Sequence, residues 1–408
     1  MRIAIAGAGI GGLAAAIALH RDGHDVCVYE QAQEIMPLGV GINLLPHASR
    51  ILAGFGLVEG LLKHGIATRE LVYHNRHGQR IWAEPRGLYA GFDAPQISLS
   101  RGDLQFGLLD AARAQLGRDR IVQNRRLSAF SQHGERVDVQ FSDASGGMHA
   151  ATADLLICAD GIHSAARASL YPGEGRPIYS GRTLWRATSI AKPYLTGATM
   201  IMAGHQDQKF VCYPIEPVRP DGLQRINWIA ELRIEEFRRR EDWNREGRLE
   251  DFLPLFESWK FDWLDVPGLI TSADTVYEYP MVDREPLPRW SFGRMTLLGD
   301  AAHPMYPIGS NGASQAILDV DALSRALRAH ADPADALAAY ERERLPATAA
   351  IVRANRQNGP EHCMQLAEER SPDGFKSTDD VFAPGELQAM ADKYKVLTGM
   401  KRDAGAKQ

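Results

Sequence analysis

An α/β fold, with a parallel sheet assembled from separated stretches of chain and an antiparallel sheet inserted between them, is what three features of the sequence predict. The chain opens on a short apolar run that meets a glycine-rich turn and continues as a helical stretch. Two later apolar runs, residues 155–158 and 294–298, end on acidic turns. Between those two lies a block of alternating, aromatic-rich runs with the period and composition of antiparallel strands.

Residues 2–6 suit a buried parallel strand, and Gly7, Gly9 and Gly12 then supply a G-x-G-x-x-G spacing. Residues 10–20 read as a helix with Ile10 and Gly11 in its first turn. Its leading amides and positive dipole end offer a seat for a pyrophosphate, and the glycines let backbone and phosphate approach closely. A second strand over 26–29 ends at Glu30, about twenty residues past the glycines, where an acceptor for both hydroxyls of an adenosine ribose belongs. Strand, turn, helix, strand and acid in this order predict a Rossmann-like dinucleotide-binding start. Glycines serving only close helix packing would leave Glu30 without a role. The motif does not separate FAD from NAD. The uncharged stretch 3–19 also has the outline of a signal peptide or membrane span, but residues 25–30 continue a folding unit that cleavage would destroy.

Residues 294–298 read as a buried strand running into Gly299-Asp300-Ala301-Ala302-His303-Pro304. Pro307-Ile308-Gly309-Ser310-Asn311-Gly312-Ala313-Ser314 and a helical run follow. Residues 155–158 run into Ala159-Asp160-Gly161, and Ser100-Arg101-Gly102-Asp103-Leu104 opens a further helix. In these motifs the sequence resembles the group A flavoprotein aromatic monooxygenases, the family of para-hydroxybenzoate hydroxylase and salicylate hydroxylase. Over roughly residues 1–355 it is similar to their phenazine-type branch, for example in Gly39-Val40-Gly41-Ile42-Asn43, Trp82-Ala83-Glu84-Pro85-Arg86-Gly87, the stretch 242–251 and the run 279–319.

The resemblance implies FAD as bound cofactor, NADH or NADPH as transient reductant and O2 as co-substrate. It implies that Asp300 bonds the ribityl chain, that the turn of Gly309, Asn311, Gly312 and Ala313 meets the pyrimidine edge of the flavin, and that Pro307 borders the substrate. It also implies cofactor roles for Asp160 and Gly161 near the pyrophosphate, for Arg101 at the flavin, for the Leu127 backbone at adenine, and for Gly41 and Ile42. A helix N-terminus suits the negative charge of a reduced flavin on physical grounds as well. Gly309-Ser310-Asn311-Gly312 stands where many members carry a G-x-G-x-N run, and Ile317-Leu318-Asp319 where many carry E-D-A. Both departures are shared with the phenazine-type branch and weigh against importing substrate residues from the benzoate hydroxylases.

The flavin-binding sheet is expected from residues 1–70, 95–175 and 283–350. This divides the chain into a first FAD-binding part (1–175), a β-sheet roof of the substrate domain (176–282), a second FAD-binding part (283–355, its end closed by helices over 333–355) and a C-terminal helical segment with a polar tail (356–408). Roof runs at 182–187, 210–215 and 226–230 make Trp185 and Tyr213, with Tyr306 and Pro307, candidates to line an apolar chamber for a planar ligand. Trp185 and Tyr213 fit plain core packing equally well.

The resemblance implies oxygen transfer from a flavin C4a-hydroperoxide to an electron-rich aromatic or N-heteroaromatic ring, with loss of carbon dioxide where a carboxylate occupies the attacked carbon. Arg186 is the candidate to orient such an acid. No catalytic residue is assigned, because the cofactor performs the hard step. Tyr213, His47 and His205 are the candidate bases for a phenolic substrate, and His303 reads as structural. Two other readings share the flavin motifs: a reductase of isoprenoid type that transfers no oxygen, and a non-catalytic flavin-binding regulator.

Composition narrows the partners. With 408 residues, 45% hydrophobic and 24% charged, the chain can bury a large core. A net charge of -5 without long Lys/Arg runs argues against nucleic acid. The cluster Arg238, Arg239 and Arg240 sits among Glu235, Glu236, Glu241 and Asp242 and reads as a solvated helix face. Cys27, Cys158, Cys212 and Cys363 form no C-x-x-C pair, which argues against a zinc site, a disulfide framework and the redox pair of a disulfide reductase. The expectation is a cytoplasmic enzyme, monomer or homodimer, with a small aromatic partner, no metal and no membrane, and a disordered tail over 401–408.

Overall fold

A computed structural model describes residues 1–37, 39–234, 245–357 and 359–398. The arginine cluster at 238–240, the first residues of the 242–251 stretch and the polar tail lie outside the described residues.

The N-terminal run forms the strand Arg2–Ala6 at the centre of a six-stranded sheet. From one edge the order is Ser291–Phe292, Met295–Leu297, Leu155–Cys158, Arg2–Ala6, Asp25–Tyr29 and Ile121–Val122, parallel except for the first hairpin. Strands buried on both faces need continuous apolar side chains, which is how Ile3, Ile5, Leu155, Leu156 and Ile157 read. The helix Ile10–Arg21 presents Ala14, Ala15 and Ala16, all fully buried, and such small side chains permit close packing. It contacts the helices Arg101–Leu116 and Gly312–Ala329. The opposite side is covered by an antiparallel sheet, Arg126–His133, Arg136–Ser142 and Met148–Ala153, whose Phe141 stacks on Tyr29 at 4.2 Å.

The second large sheet has seven strands in the order Tyr277–Asp283, Ile178–Ala191, Gln224–Arg233, Gln208–Pro214, Thr199–His205, Glu70–His74 and Arg80–Pro85. Its last two strands come from outside residues 176–282, because Thr199–His205 pairs in parallel with Glu70–His74. One face packs Trp185, Phe210, Trp228, Phe252, Phe256 and Trp259 into an aromatic core. The other face roofs a cavity that reaches the turns at Gly9–Gly11 and Gly299–Asp300. Pro333–Asn355 is one helix, continuous through Pro346. After it, His362–Arg370 and Glu386–Leu397 cover part of the roof, with Cys363, Met364 and Phe382 packed on Tyr73, Met200 and Met202.

Candidate active site

The strand-to-helix turn is built around steric necessity. Gly7 has φ +103°, and a Cβ there would lie 2.3 Å from the Ala159 carbonyl oxygen. A Cβ on Gly12 would lie 2.0 Å from the Gly7 oxygen, whereas at Gly9 nothing stands within 4 Å. Gly12 therefore lets the helix meet the turn, and Gly9 leaves the approach to the helix open. That helix end has no side-chain cap and no acid in its first turn, so its amides remain available to an anion. Glu30 accepts from the backbone N–H of Ala8 at 2.7 Å and of Ala32 at 2.8 Å, which fixes the carboxylate beside the turn.

Two cavities meet at this turn, sharing Gly9, Arg101, Ala159 and Gly161. The outer, about 220 Å³, is lined by Gly7, Glu30, Leu127 and Asp160. The inner, about 360 Å³, is lined by Ile10, Gly11, Gly41, Ile42, Asp300, Pro307, Asn311, Gly312 and Ala313 and by the roof. Of the predicted cofactor residues only Gly12 and Gly309 line neither. Gly309 borders a smaller pocket, and with φ +68° a Cβ on it would lie 2.3 Å from the Tyr394 hydroxyl.

At the inner end Asp300 is reached by water from the cleft yet closely surrounded by protein. That surrounding pushes its pKa up against the opposing pull of His303 and Arg101, and Asp319 adds to the rise. Beneath it lies a buried network that the sequence motifs did not reveal. Asp319 accepts from His303 Nε2 at 2.5 Å, Arg344 Nε at 2.8 Å and the Gly299 amide at 3.1 Å, and Arg344 also donates to Gln315 at 2.6 Å. This fixes the turn that carries Asp300 and supports the structural reading of His303. The helix Gly312–Ala329 likewise starts without a side-chain cap; the Asn311 side chain donates from Nδ2 to the Tyr394 hydroxyl at 2.8 Å, and its Oδ1 accepts from Gln315 Nε2 at 3.4 Å.

The roof acts through alternation. Leu184 and Arg186, Lys209, Val211 and Tyr213, and Ile229 and Glu231 face the inner cavity, while Trp185, Phe210, Cys212, Trp228 and Ala230 face the aromatic core. Trp185 is thus a core residue, stacked on Phe252 at 4.9 Å. Tyr306 also misses the chamber, being buried among Leu184, Tyr279, Met281 and Ile308. Tyr213 and Pro307 do line it. Arg186 donates to the Gly41 carbonyl at 3.0 Å and lies 5.9 Å over the Tyr279 ring, and its Nε–H has no protein partner. Asn227, unnoticed in the sequence, accepts from the Gly41 amide at 2.6 Å. A Cβ on Gly41 would lie 2.7 Å from Asn227. Burial pushes the Tyr213 hydroxyl up to about 12, opposed by Arg186, so it keeps its proton at neutral pH. His47, lowered by burial to about 4, and His205, lowered by burial, line neither cavity.

The residues present fit FAD. A bent cleft runs from Glu30 and Leu127 past an uncapped helix end to a second uncapped helix, and Asp160 on its wall keeps a buried Oδ1 without a partner. A flavin-dependent oxidoreductase with a roofed chamber beside the ring end of its cofactor is the class that this fold and site define.

The chain belongs to the FAD-binding domain family, which matches residues 1–355. It is 45% identical over 361 residues to the phenazine 1,6-dicarboxylic acid hydroxylase PhzS of Lysobacter antibioticus, covering 87% of this chain and 89% of that one. It is 32% identical over 366 residues to the 3-hydroxybenzoate 6-hydroxylase of Polaromonas naphthalenivorans, covering 88% and 87%. The fold is similar to that of Klebsiella pneumoniae HpxO complexed with FAD and uric acid, with a TM-score of 0.74, 24% identity and coverage of 98% and 95%. The protein is therefore an FAD-dependent aromatic monooxygenase of group A, using NAD(P)H and O2. These relatives favour oxygen insertion over the reductase reading. Among the described residues no helix is long and apolar enough to cross a membrane, and no cluster of potential metal ligands occurs.

Proposed function

We propose that the enzyme hydroxylates a planar, fused N-heteroaromatic carboxylate of the phenazine class. The observation that carries this reading is the shape and polarity of the inner cavity: a sheet face forms its roof, Leu184, Val211, Ile229 and Met281 make it apolar, and Arg186 brings a guanidinium with an unpartnered N–H to that wall. A flat aromatic body with one anionic handle matches both features. The 45% identical relative, a phenazine dicarboxylic acid hydroxylase, points the same way.

When bound and reduced by NAD(P)H, FAD would activate O2, one atom of which passes to the substrate while the other leaves as water. The chain positions and insulates. Backbone amides at Gly9, Ile10 and Gly11 would hold the pyrophosphate, with Asp160 and Gly161 beside it. Glu30 would take the ribose hydroxyls, the Leu127 backbone would meet adenine, and Asp300 would take the ribityl chain. Arg101, Gly41 and Ile42 would border the ring, and the amides of Gly312 and Ala313 would face its negative charge. The Arg186 guanidinium orients the substrate carboxylate, Tyr213 donates a hydrogen bond from a hydroxyl that keeps its proton, and the apolar roof excludes water. The FAD half comprises 1–175 and 283–355 apart from the two strands between 70 and 85 that extend the roof. A cytoplasmic location agrees with four free thiols.

The test is NADH and NADPH oxidation with oxygen uptake by the FAD-loaded enzyme across phenazine carboxylates, hydroxybenzoates and hydroxyquinolines, with product mass. A phenazine carboxylate that accelerates nicotinamide oxidation and gains one oxygen supports the reading. Oxygen gain confined to hydroxybenzoates or hydroxyquinolines overturns it.

A further inference from the structure

The wall of the chamber on the far side of Arg186 carries charge that the oxygen transfer does not use. Lys209 and Glu231 are opposite one another in the ladder between Gln208–Pro214 and Gln224–Arg233, both facing the cavity. Lys209 Nζ lies 2.8 Å from Glu231 and 2.5 Å from Glu361, all three side chains being at most 7% exposed. Glu361 arrives from the turn Gly359–Glu361, beyond the residues matched by the FAD-binding family, and it too lines the cavity. Glu231 keeps one oxygen without a hydrogen bond, Arg182 standing 3.6 Å from it. Arg182 lines a separate outer groove and not the chamber.

Strand register sets the spacing. Arg186 pairs with Ile229, and the next chamber-facing row is Leu184, Glu231 and Lys209. At about 3.3 Å per residue, the two rows are roughly 7 Å apart, so a fused ring system held at Arg186 extends to the second row. We propose that Lys209, Glu231 and Glu361 form a specificity-determining wall that accepts a hydrogen-bond donor, an O–H or N–H, at the end of the substrate remote from its carboxylate and rejects a second carboxylate there.

The argument is electrostatic. The single ammonium is already claimed by two carboxylates, and Arg182, standing outside the chamber at 3.6 Å from Glu231, brings the four groups to formal neutrality. Burial lowers the Lys209 pKa, but Glu231 and Glu361 more than reverse this, so the ammonium stays charged. Burial pushes Glu361 up while Lys209 opposes it. While Glu361 is charged the wall offers no net positive charge to a second anion, and a charge brought into a desolvated site without a free partner is strongly disfavoured. Unused carboxylate acceptor capacity suits a donor. This rests on the substrate class proposed above.

The test titrates FAD-loaded enzyme and follows the visible absorption of the bound flavin, a readout independent of turnover. The probes are phenazine-1-carboxylate, its 6-hydroxy derivative, phenazine-1,6-dicarboxylate, naphthalene-1-carboxylate and naphthalene-1,5-dicarboxylate. The expected result is that each dicarboxylate binds at least about tenfold more weakly than its monocarboxylate, and the hydroxy acid about threefold more tightly or better. Glu361→Gln, and independently Glu231→Gln, should bring mono- and dicarboxylates to within about threefold, with FAD content and Tm checked for folding. A dicarboxylate binding wild type as tightly as the monocarboxylate overturns the wall, as does an unchanged ratio in both folded variants. If the phenazines fail to bind while the naphthalene pair shows the ratio, the substrate class falls and the wall stands. No spectral change with any of the five acids overturns both.

Discussion

The two large sheets meet at one cleft but serve it with different parts of the chain. The six-stranded parallel sheet delivers backbone: it ends in turns whose glycines clear space, and the helices that follow present amides without side-chain caps. The seven-stranded sheet delivers side chains: its chamber face carries Arg186, Lys209, Tyr213 and Glu231 between apolar neighbours. Backbone recognition demands a particular conformation and tolerates almost no added atom, whereas side-chain recognition demands a register and tolerates graded change. The first sheet should therefore fail abruptly on mutation, and the second should shift in specificity.

The largest expected effect belongs to Gly12→Val. Its Cβ would fall 2.0 Å from the Gly7 oxygen, a backbone atom that cannot move aside cheaply. We expect destabilisation of more than about 4 kcal/mol with loss of bound flavin, read by thermal melting and by flavin content. A Gly12→Val protein that retains FAD and a wild-type Tm would remove the steric basis of the comparison.

Next comes Asp319→Asn. Removing one partner from a buried ion-pair network costs about 3–5 kcal/mol, here taking away the negative charge facing Arg344 and His303 and turning one of its two acceptor oxygens into an N–H donor. Burial pushes the Asp319 pKa up, but His303 and Arg344 more than reverse it, so its folded value is depressed. Its stabilisation is therefore complete above the unfolded value near 3.9 and is lost as pH falls through the lower folded value. The variant should lack that part of the acid-side decline, checked by chemical denaturation across pH.

Trp185→Ala tests whether the roof divides by face. With Trp185 at 2% exposure on the aromatic core, truncation should cost about 3–5 kcal/mol, while kcat/KM of the protein that remains folded stays within about threefold of wild type. A selective rise in KM at unchanged Tm would place Trp185 in the chamber after all.

These contrasts also explain how much the sequence displays. Gly7, Gly9 and Glu30 can be read from spacing, because a phosphate-binding turn is a local object encoded over a few dozen residues, whereas the role of Asp300 comes only with the family resemblance. Trp185 and Tyr213 could not be assigned to pocket or core, because the face a strand residue occupies depends on which neighbour covers which side. Lys209, next to Gln208 at the start of the strand Gln208–Pro214, carries little local signal. Its meaning required Glu361, 152 residues away, and no local pattern announces that distance. The Asp319 network was hidden for a related reason: its members come from the Gly299 turn and from two helices, and only their convergence makes it.

The smallest expected effect sharpens the comparison most finely. Tyr213 lies in the same chamber as Arg186, and removing its hydroxyl deletes one hydrogen bond, worth about 0.5–1.5 kcal/mol. Tyr213→Phe should raise KM about three- to tenfold and leave flavin content and Tm near wild type. Because burial pushes this hydroxyl up to about 12, it stays protonated from pH 6 to 10. The pH profile of kcat/KM should thus keep its shape in the variant while its height falls. A profile that loses a limb near neutrality would show Tyr213 acting as a base, which requires a phenolate that its surroundings oppose. An unchanged KM would move the substrate away from the Tyr213 row and toward the wall of Lys209 and Glu231.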